Sequence, residues 1–285
     1  MTNSGEVPYT SSSSSTGHSL AEGSYLDAHF DCMREEYETM LKSAGIQAGW
    51  SILDAGAGGG SHLPLMSQLV GPKGQIDALD LDPKNVEMIG QRAEAGQFNC
   101  SVTAKSGSVV DLPYEDNQFD LVWCANVTQY LSDDELMQTL NEMKRVTRSG
   151  GFIVIKDTDI DGCRQFGPLH PLLLRRVLER ISHVQQAAGA LRTTMLPGWF
   201  RRVGLKSVTY KTFIGERMHP LDSASEAFID TMLEYWGNLA TRLELPEEDI
   251  AQWRRLLDKD SPNYLRKDPD FYWRETWGVV RGHVA

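Results

Sequence analysis

The sequence is poor in cysteine and in basic residues, and each shortage excludes a class of protein. Its four cysteines, at positions 32, 100, 124 and 163, are scattered and form no Cys-x-x-Cys pair. This argues against a zinc site or a redox dithiol, and we predict no metal site. The 28 basic residues are outnumbered by 39 acidic ones, for a net charge of −11. Nucleic acid and anionic membrane surfaces are therefore not expected partners, because proteins that bind them carry basic patches.

Long apolar runs are also missing. No segment approaches the roughly 18 consecutive apolar residues of a membrane-spanning helix. The N-terminus has no basic stretch followed by an apolar one, as a secretory signal would. We therefore expect no membrane span and a cytoplasmic location. Residues 1–21 are polar and include five consecutive serines, so we expect a disordered or lid-like tail that buries too little apolar surface to offset the entropy of ordering.

Glycine is concentrated in one stretch, which follows a short apolar run. Residues 51–60 read Ser-Ile-Leu-Asp-Ala-Gly-Ala-Gly-Gly-Gly, a pattern typical of a strand, a tight turn and a helix start. Glycine adopts positive φ and lets the backbone approach a ligand closely. In an open parallel sheet such a turn binds nucleotide-like ligands, and a carboxylate like Asp80 about 20 residues later can accept both ribose hydroxyls. A dinucleotide site and a turn without any ligand both stay open at this point.

Four motifs in order resemble those of the class I S-adenosylmethionine (SAM)-dependent methyltransferases. Asp54 stands two residues before Gly56, in an Asp-x-Gly-x-Gly-x-Gly pattern similar to motif I of that family. The three later motifs are the acidic loop at residues 80–83, the segment at residues 107–120 and the Gly-Gly turn at residues 148–152. Within the superfamily, the chain is most similar to the ubiquinone/menaquinone-biosynthesis-like small-molecule group. The resemblance covers residues 51–155.

The resemblance implies an α/β fold with a doubly wound, mostly parallel, seven-stranded sheet and a helical cap. The alternation of strand-like and helical segments supports this, because parallel strands are joined by right-handed helical crossovers. We predict a SAM-binding Rossmann-like core over residues 22–157. Residues 158–285 are expected to hold helical cap insertions and the last strands of the sheet, at residues 205–213 and 271–284.

The resemblance also assigns the contacts to the methionine and ribose ends of SAM. Gly56, Gly58 and Gly60 would supply backbone N–H groups and room for the ligand. Asp54 would compensate the ammonium group, directly or through water. Asp80 would accept the ribose hydroxyls in a charge-assisted contact.

The adenine contacts and one further methionine contact are implied in the same way. Leu81 would lie on one face of the adenine, and Val109 would donate its backbone N–H to the ring. The family usually places an aspartate at the position of Ser108, whose hydroxyl is a weaker acceptor for the adenine amino group. Asn126 would touch the methionine end.

Catalysis of methyl transfer rests largely on positioning and desolvation, so no base is obligatory. A hydroxyl or an acidic carbon as nucleophile would still be helped by a proton acceptor. We predict Asp157, at the end of the fifth strand, and His170, beside the following helix, as catalytic residues. A capping aspartate and a surface histidine are the alternatives.

Aromatic residues suggest where the acceptor binds. Tyr25 and His29, on a helix predicted over residues 25–43, are candidate lid residues, although packing on the core would also explain them. Tyr130 and Trp199 lie near the predicted cap and are expected to line an apolar pocket.

The favoured function is a SAM-dependent methyltransferase for a bulky, largely apolar small molecule. A secondary metabolite, a prenylated or terpenoid compound and a quinone-like compound all fit. C-methylation is considered because aromatic faces stabilise a carbocation. The alternatives are O- or N-methylation of a natural product, an NAD-type oxidoreductase and a non-catalytic SAM-binding protein. A homo-oligomer is compatible with the N-terminal tail and the helices rich in Met and aromatic residues.

Overall fold

The computed structural model describes residues 23–165, 171–182, 189 and 191–285. Strands within these residues form one sheet. They are β1 (Ser51–Ala55), β2 (Gln75–Asp80), β3 (Ser101–Ser106), β4 (Phe119–Ala125), β5 (Thr147–Thr158), β6 (Arg164–Gln165), β7 (Lys206–Met218) and β8 (Tyr272–His283). The spatial order is β3-β2-β1-β4-β5-β8-β6, and β7 also pairs with β8.

The first five strands are parallel to one another, whereas β8 runs antiparallel to β5, β6 and β7. The predicted doubly wound, mostly parallel sheet is therefore confirmed, with seven long strands and the two-residue β6 in addition. Strands β1 and β4 are apolar runs because helices cover both of their faces, as is usual for parallel sheets.

The helices cover the two faces of the sheet. In chain order, they are α1 (Gly23–Cys32), α2 (Arg34–Ser43), α3 (Leu63–Val70), α4 (Pro83–Glu94), α5 (Asp133–Val146), α6 (Pro171–Ser182), α7 (Leu196–Arg202), α8 (Ser223–Arg242) and α9 (Glu247–Leu257). Helix α5 begins at the capping box predicted by its sequence, in which the side chains of Ser132 and Glu135 each bond the other's backbone N–H. None of these helices combines the length and apolar character needed to cross a bilayer.

Two hydrophobic clusters share the sheet. One contains Ile52 and Trp123 from the strands and residues of α1 to α4, α6, α8 and α9. The other contains Leu53 and Val122 with residues of α5 and α7. Successive strand residues enter opposite clusters because side chains alternate across a strand. The helices beyond residue 158 thus pack mostly on the same side as α2 to α4.

Two segments differ from their predicted extent. The helix expected over residues 25–43 is split at Met33, whose φ of −111° and ψ of 27° are not helical. Met33 is fully buried, so packing of the two short helices overrides the continuous helical pattern. The strand expected to end at residue 213 continues to Met218, because β8 provides a partner as far as Tyr272.

Candidate functional site

The strand order reverses between β1 and β4, and ligands of such sheets bind in the crevice beyond the carboxyl ends of the strands. The glycine turn follows β1, and Asn126 follows β4. At Gly56 φ is 84°, and an added Cβ would lie only 2.3 Å from Val127 Cγ2. The two turns therefore touch, and a residue without a side chain is required at their contact.

The rest of the glycine turn is held against β2. The backbone N–H of Gly56 donates to Leu79 O at 2.8 Å. Gly58 donates its backbone N–H to Asp80 Oδ2 at 2.8 Å. Gly60 has a φ of 82°, and an added Cβ would lie 2.9 Å from the side chains of both Leu63 and Ile89. The predicted glycines thus form one turn beside Asp80.

Asp54 is 1% exposed, and its Oδ2 has no hydrogen-bond partner in the described part of the chain. Burial, and then the charge of the nearby Asp80, raise the pKa of Asp54 to about 7. A buried carboxylate oxygen without a partner is costly, and a cation or a hydrogen-bond donor would relieve that cost. Asp54 is therefore suited to a positively charged ligand group.

Asp80 ends β2, next to the strand that carries Asp54. Its Oδ1 accepts hydrogen bonds from Asp82 N at 3.0 Å and from Asn85 Nδ2 at 2.9 Å. With the Gly58 bond to Oδ2, about three of four acceptor positions are used. One acceptor position of the Asp80 carboxylate is left for a ligand hydroxyl. The contact of Asp80 with the ribose stays a prediction.

The predicted adenine residues lie next to Asp80. Gly107 N donates to Asp80 O at 2.9 Å, which places the following turn beside Leu81. The Leu81 side chain is 57% exposed and is available to a flat ring. Ser108 Oγ accepts the backbone N–H of Val110 at 3.3 Å, while Val109 is buried. These positions are compatible with the predicted roles, which stay predictions.

Asn126 has a φ of 59°, and its backbone N–H donates to Lys156 O at 2.7 Å. Lys156 Nζ in turn donates to Asn126 Oδ1 at 2.8 Å and lies 4.2 Å from the Tyr37 ring centre and 5.3 Å from that of Trp277. Burial lowers the pKa of Lys156 to about 7, against the charges of Asp157 and Glu275. We did not select Lys156 from the sequence, although a lysine inside an apolar strand is a signal.

Asp157, the predicted catalytic residue, is also buried. Its Oδ2 accepts a hydrogen bond from Thr128 Oγ1, and its Oδ1 has no partner among the described residues. Burial raises the pKa of Asp157 to about 6, against the bond from Thr128 and the charges of Lys156 and Arg192. His170 lies outside the described residues, so its predicted role beside Asp157 stays a prediction.

His29 joins α1 to β8 and α8. Its Nε2 lies 3.0 Å from Glu275 Oε2 and 2.9 Å from Tyr37 Oη. The His29 ring stacks on Phe228 with 4.4 Å between ring centres. His29 therefore belongs to an aromatic cluster around Tyr37. The side chain of Tyr25 lies outside the described residues, so its predicted lid role stays a prediction.

Tyr130 ends the short turn Thr128–Tyr130 after β4, and Trp199 lies on α7. Gln129 Nε2 donates to Tyr130 Oη at 3.2 Å. Trp199 packs against the cluster of α5 and α7, with the guanidinium groups of Arg192 and Arg202 at 5.8 and 4.7 Å from its rings. Trp199 and His29 belong to separate regions of the structure, and the predicted role of Tyr130 and Trp199 in an apolar pocket stays a prediction.

His62 is a second residue that the sequence reasoning missed. It follows the glycine turn directly, and its ring centre lies 5.7 Å from that of Tyr37 and 5.8 Å from that of Trp123. Burial, and then the charges of Lys156 and His29, lower the pKa of His62. The signal that could have identified His62 is its position at the end of the run of small residues, at a predicted ligand turn.

The chain is similar in sequence to known proteins. A family model described as a methyltransferase domain matches residues 52–151. The demethylmenaquinone methyltransferase of Shouchella clausii is 30% identical over 191 residues, which make up 61% of this chain and 78% of that protein.

Two solved structures have a similar fold. A SAM-dependent methyltransferase from Aquifex aeolicus has a TM-score of 0.51 at 24% identity, over 66% of this chain and 90% of that one. Phosphoethanolamine N-methyltransferase 2 from Haemonchus contortus, in complex with S-adenosyl-L-methionine, has a TM-score of 0.52 at 16% identity, over 88% of this chain and 52% of that one.

Proposed function

The chain belongs to the class I SAM-dependent methyltransferases, in their menaquinone-biosynthesis-like small-molecule group, and on that premise we propose that it methylates a bulky, largely apolar, quinone-like molecule. The protein is an enzyme that uses SAM as its cofactor. The acceptor class is carried by one observation. The similarity to a demethylmenaquinone methyltransferase extends over 191 residues, which is longer than the methyltransferase domain matched at residues 52–151.

The residues at the glycine turn fit SAM. SAM supplies a methyl group that is activated by attachment to a sulfonium. The unpartnered Oδ2 of Asp54 suits the ammonium group of the methionine end, and the absence of a side chain at Gly56 lets the turn after β1 pack against Val127 of the turn after β4. We propose that Asp80 holds the ribose and that Leu81 covers the adenine.

For the acceptor, we propose the region between α1 and the end of β5. Its described residues include the aromatic cluster around Tyr37 and His29, and Tyr130 follows β4 nearby. Rings of this kind bind flat apolar molecules through dispersion and offset stacking. This supports a quinone-like acceptor over a small polar amine, and we propose residues 158–285 as the cap that excludes water.

Asp157 is our proposed proton acceptor for a ring hydroxyl. Its Oδ1 has no partner among the described residues, and a pKa of about 6 leaves the carboxylate mostly ionised at neutral pH. Loss of the hydroxyl proton would make both the oxygen and the adjacent ring carbon more nucleophilic. We propose the ring carbon as the methylated atom, which would then lose its own hydrogen as a proton to restore the aromatic ring.

A panel of three acceptors tests the proposal. The protein would be incubated without oxygen with SAM carrying a deuterated methyl group and a prenylated 1,4-naphthoquinol, an unprenylated 1,4-naphthoquinol or histamine. Mass spectrometry is expected to find label in both quinols, with at least about tenfold higher kcat/KM for the prenylated one because of its larger apolar area. NMR of the product would identify the methylated atom.

The matched variant for this experiment is Asp157→Asn, which keeps the size of the side chain and cannot accept the proton. It should lower kcat with the prenylated quinol while SAM affinity stays unchanged. Label found only in histamine would contradict the proposed acceptor class. An oxygen-linked methyl group would contradict the proposed position alone.

A further inference from the structure

Lys156 is an unusual residue for the interior of a sheet. Its side chain is 0% exposed, and within the described part of the chain no acidic side chain forms an ion pair with it. Its partners are instead the amide oxygen of Asn126 and the faces of Tyr37 and Trp277. Burying an ammonium group with so little compensation is costly. A role of Lys156 in the neighbouring site would explain why this cost is tolerated.

The contact with Lys156 determines which way the Asn126 amide points. An ammonium group has donors and no acceptor, so only Oδ1 of Asn126 can face it. The amide Nδ2, with its two N–H donors, must then point away from Lys156. No protein acceptor for Nδ2 is present among the described residues, so both donors are available to a ligand.

The backbone of Asn126 is held as firmly as its side chain. Besides its N–H bond to Lys156 O, its carbonyl accepts Gln129 Nε2 at 3.1 Å. These bonds maintain a φ of 59°, which is uncommon for a residue other than glycine. A half-buried amide at the switch point between β1 and β4 is thereby presented in one orientation.

We propose that Lys156 is a positioning residue, which turns the Asn126 amide so that Nδ2 donates to the carboxylate of the methionine end of SAM. A carboxylate offers only acceptors and therefore complements Nδ2. The positive charge behind the amide also favours an anion there, while Asp54 across the turn favours the ammonium of the same zwitterion. The inference rests on the proposed contact between Asn126 and the cofactor, and is independent of the acceptor.

Calorimetric titration with two probes tests it without any turnover. S-adenosylhomocysteine carries the amino-acid carboxylate, whereas 5′-methylthioadenosine lacks it and keeps the adenosine. In Lys156→Met, the affinity for S-adenosylhomocysteine should fall about tenfold or more, as for loss of a hydrogen bond to a charged group. Asn126→Ala should show a similar loss, the double variant no further loss, and methylthioadenosine should bind all three like the wild type.

The outcomes distinguish failure of the proposed contact between Asn126 and the cofactor from failure of the positioning role of Lys156. Unchanged binding of S-adenosylhomocysteine by Asn126→Ala would refute the proposed cofactor contact itself. A loss in Asn126→Ala with none in Lys156→Met would refute the positioning role alone, as would additive losses in the double variant. Equal losses for both probes would also overturn it, because a general disturbance of the site would then be the cause.

Lys156→Gln is the second variant. It keeps a donor of shorter reach toward Asn126 and keeps the proposal testable if methionine prevents folding. Its affinity for S-adenosylhomocysteine should lie between those of the wild type and Asn126→Ala. An affinity as low as that of Asn126→Ala would show that a hydrogen-bond donor at position 156 does not determine the orientation of the Asn126 amide.

Discussion

At the scale of single residues, two buried side chains of opposite charge flank the switch point of the sheet. Asp54 ends up beside Asp80 with one oxygen unpartnered, and Lys156 lies behind Asn126 on the opposite flank. Burial disfavours the charge on each side chain and shifts both pKa values toward 7. A zwitterionic ligand would bring a positive group to Asp54 and a negative group to the side of Lys156 and Asn126.

The pKa of Asp54 makes a prediction for cofactor binding. Its ordinary value of 3.8 is raised to about 7, so the free protein holds a proton there below neutral pH. We expect affinity for S-adenosylhomocysteine to increase as pH rises from 6 to 8, with proton release on binding below pH 7. Calorimetry in buffers of different ionisation enthalpy measures both, and Asp54→Asn should bind weakly and lack this increase in affinity with pH.

The same shift has a consequence for stability. Between pH 4 and 7 the unfolded chain releases the Asp54 proton and the folded protein keeps it, so this group lowers the free energy of unfolding as pH rises, by at most about 4 kcal/mol. Asp54→Asn should remove that slope. Asp77→Asn is the control. Asp77 is also buried but accepts hydrogen bonds from Gln75 and Thr103, so this variant should keep the slope that Asp54 causes. For the binding prediction, an affinity of the wild type for S-adenosylhomocysteine that does not change between pH 6 and 8 would contradict the proposed contact of Asp54 with the ammonium group.

At the scale of elements, the turn after β1 and the turn after β4 form the site because they touch. The contact is made where Gly56 meets Val127, and the bonds from Gly56 to Leu79 and from Gly58 to Asp80 fasten the first turn to β2. A substitution that alters the conformation of one turn should therefore also displace the other.

Gly56→Ala tests this contact. The added methyl group would lie 2.3 Å from Val127 Cγ2 at a φ of 84°, so both strain and a clash are expected. We predict at least about tenfold weaker binding of S-adenosylhomocysteine and a loss of about 2–4 kcal/mol in the free energy of unfolding.

Gly49→Ala is the matched control, since its φ is 83° and nothing lies within 4 Å of an added Cβ. It should show the backbone strain alone, about 1–2 kcal/mol, with unchanged affinity. Equal effects of the two variants on affinity would contradict the role of the contact.

At the scale of the whole molecule, the cofactor region and the predicted cap share one core. Phe228 and Trp253, from α8 and α9, belong to the same cluster as Ile52 and Trp123 of the central strands. Strand β8, near the end of the chain, is the partner of β5. We propose that residues 22–157 bind the cofactor and residues 158–285 cover the acceptor, within one cooperative unit.

Truncation tests that cooperativity. Residues 22–157 alone would lack the partner of β5 and much of one hydrophobic cluster, and would expose Lys156. We expect no cooperative thermal unfolding transition by circular dichroism for this fragment, and a single transition for residues 22–285. A fragment 22–157 that unfolds cooperatively would show an independent domain instead.

Local signals in the sequence were sufficient for the family, the cofactor and most elements. The Asp54-to-Gly60 pattern, the run that ends at Asp80 and the capping box at Ser132 each depend on residues close together in the chain. Their physical causes, positive φ, side-chain alternation and helix capping, act over a few residues, so a single sequence displays them. The enzyme class and the sheet predicted from them are confirmed.

The partners of Lys156 and His29 were decided only by the tertiary structure. Lys156 contacts Asn126 because β4 and β5 pair in one register, and a shift of one residue would turn Lys156 to the other face. His29 reaches Glu275, which is 246 positions away along the chain, because β8 inserts beside β5. Contacts of this kind depend on strand order and packing, which no local pattern encodes, and they determine the charge and shape of the site.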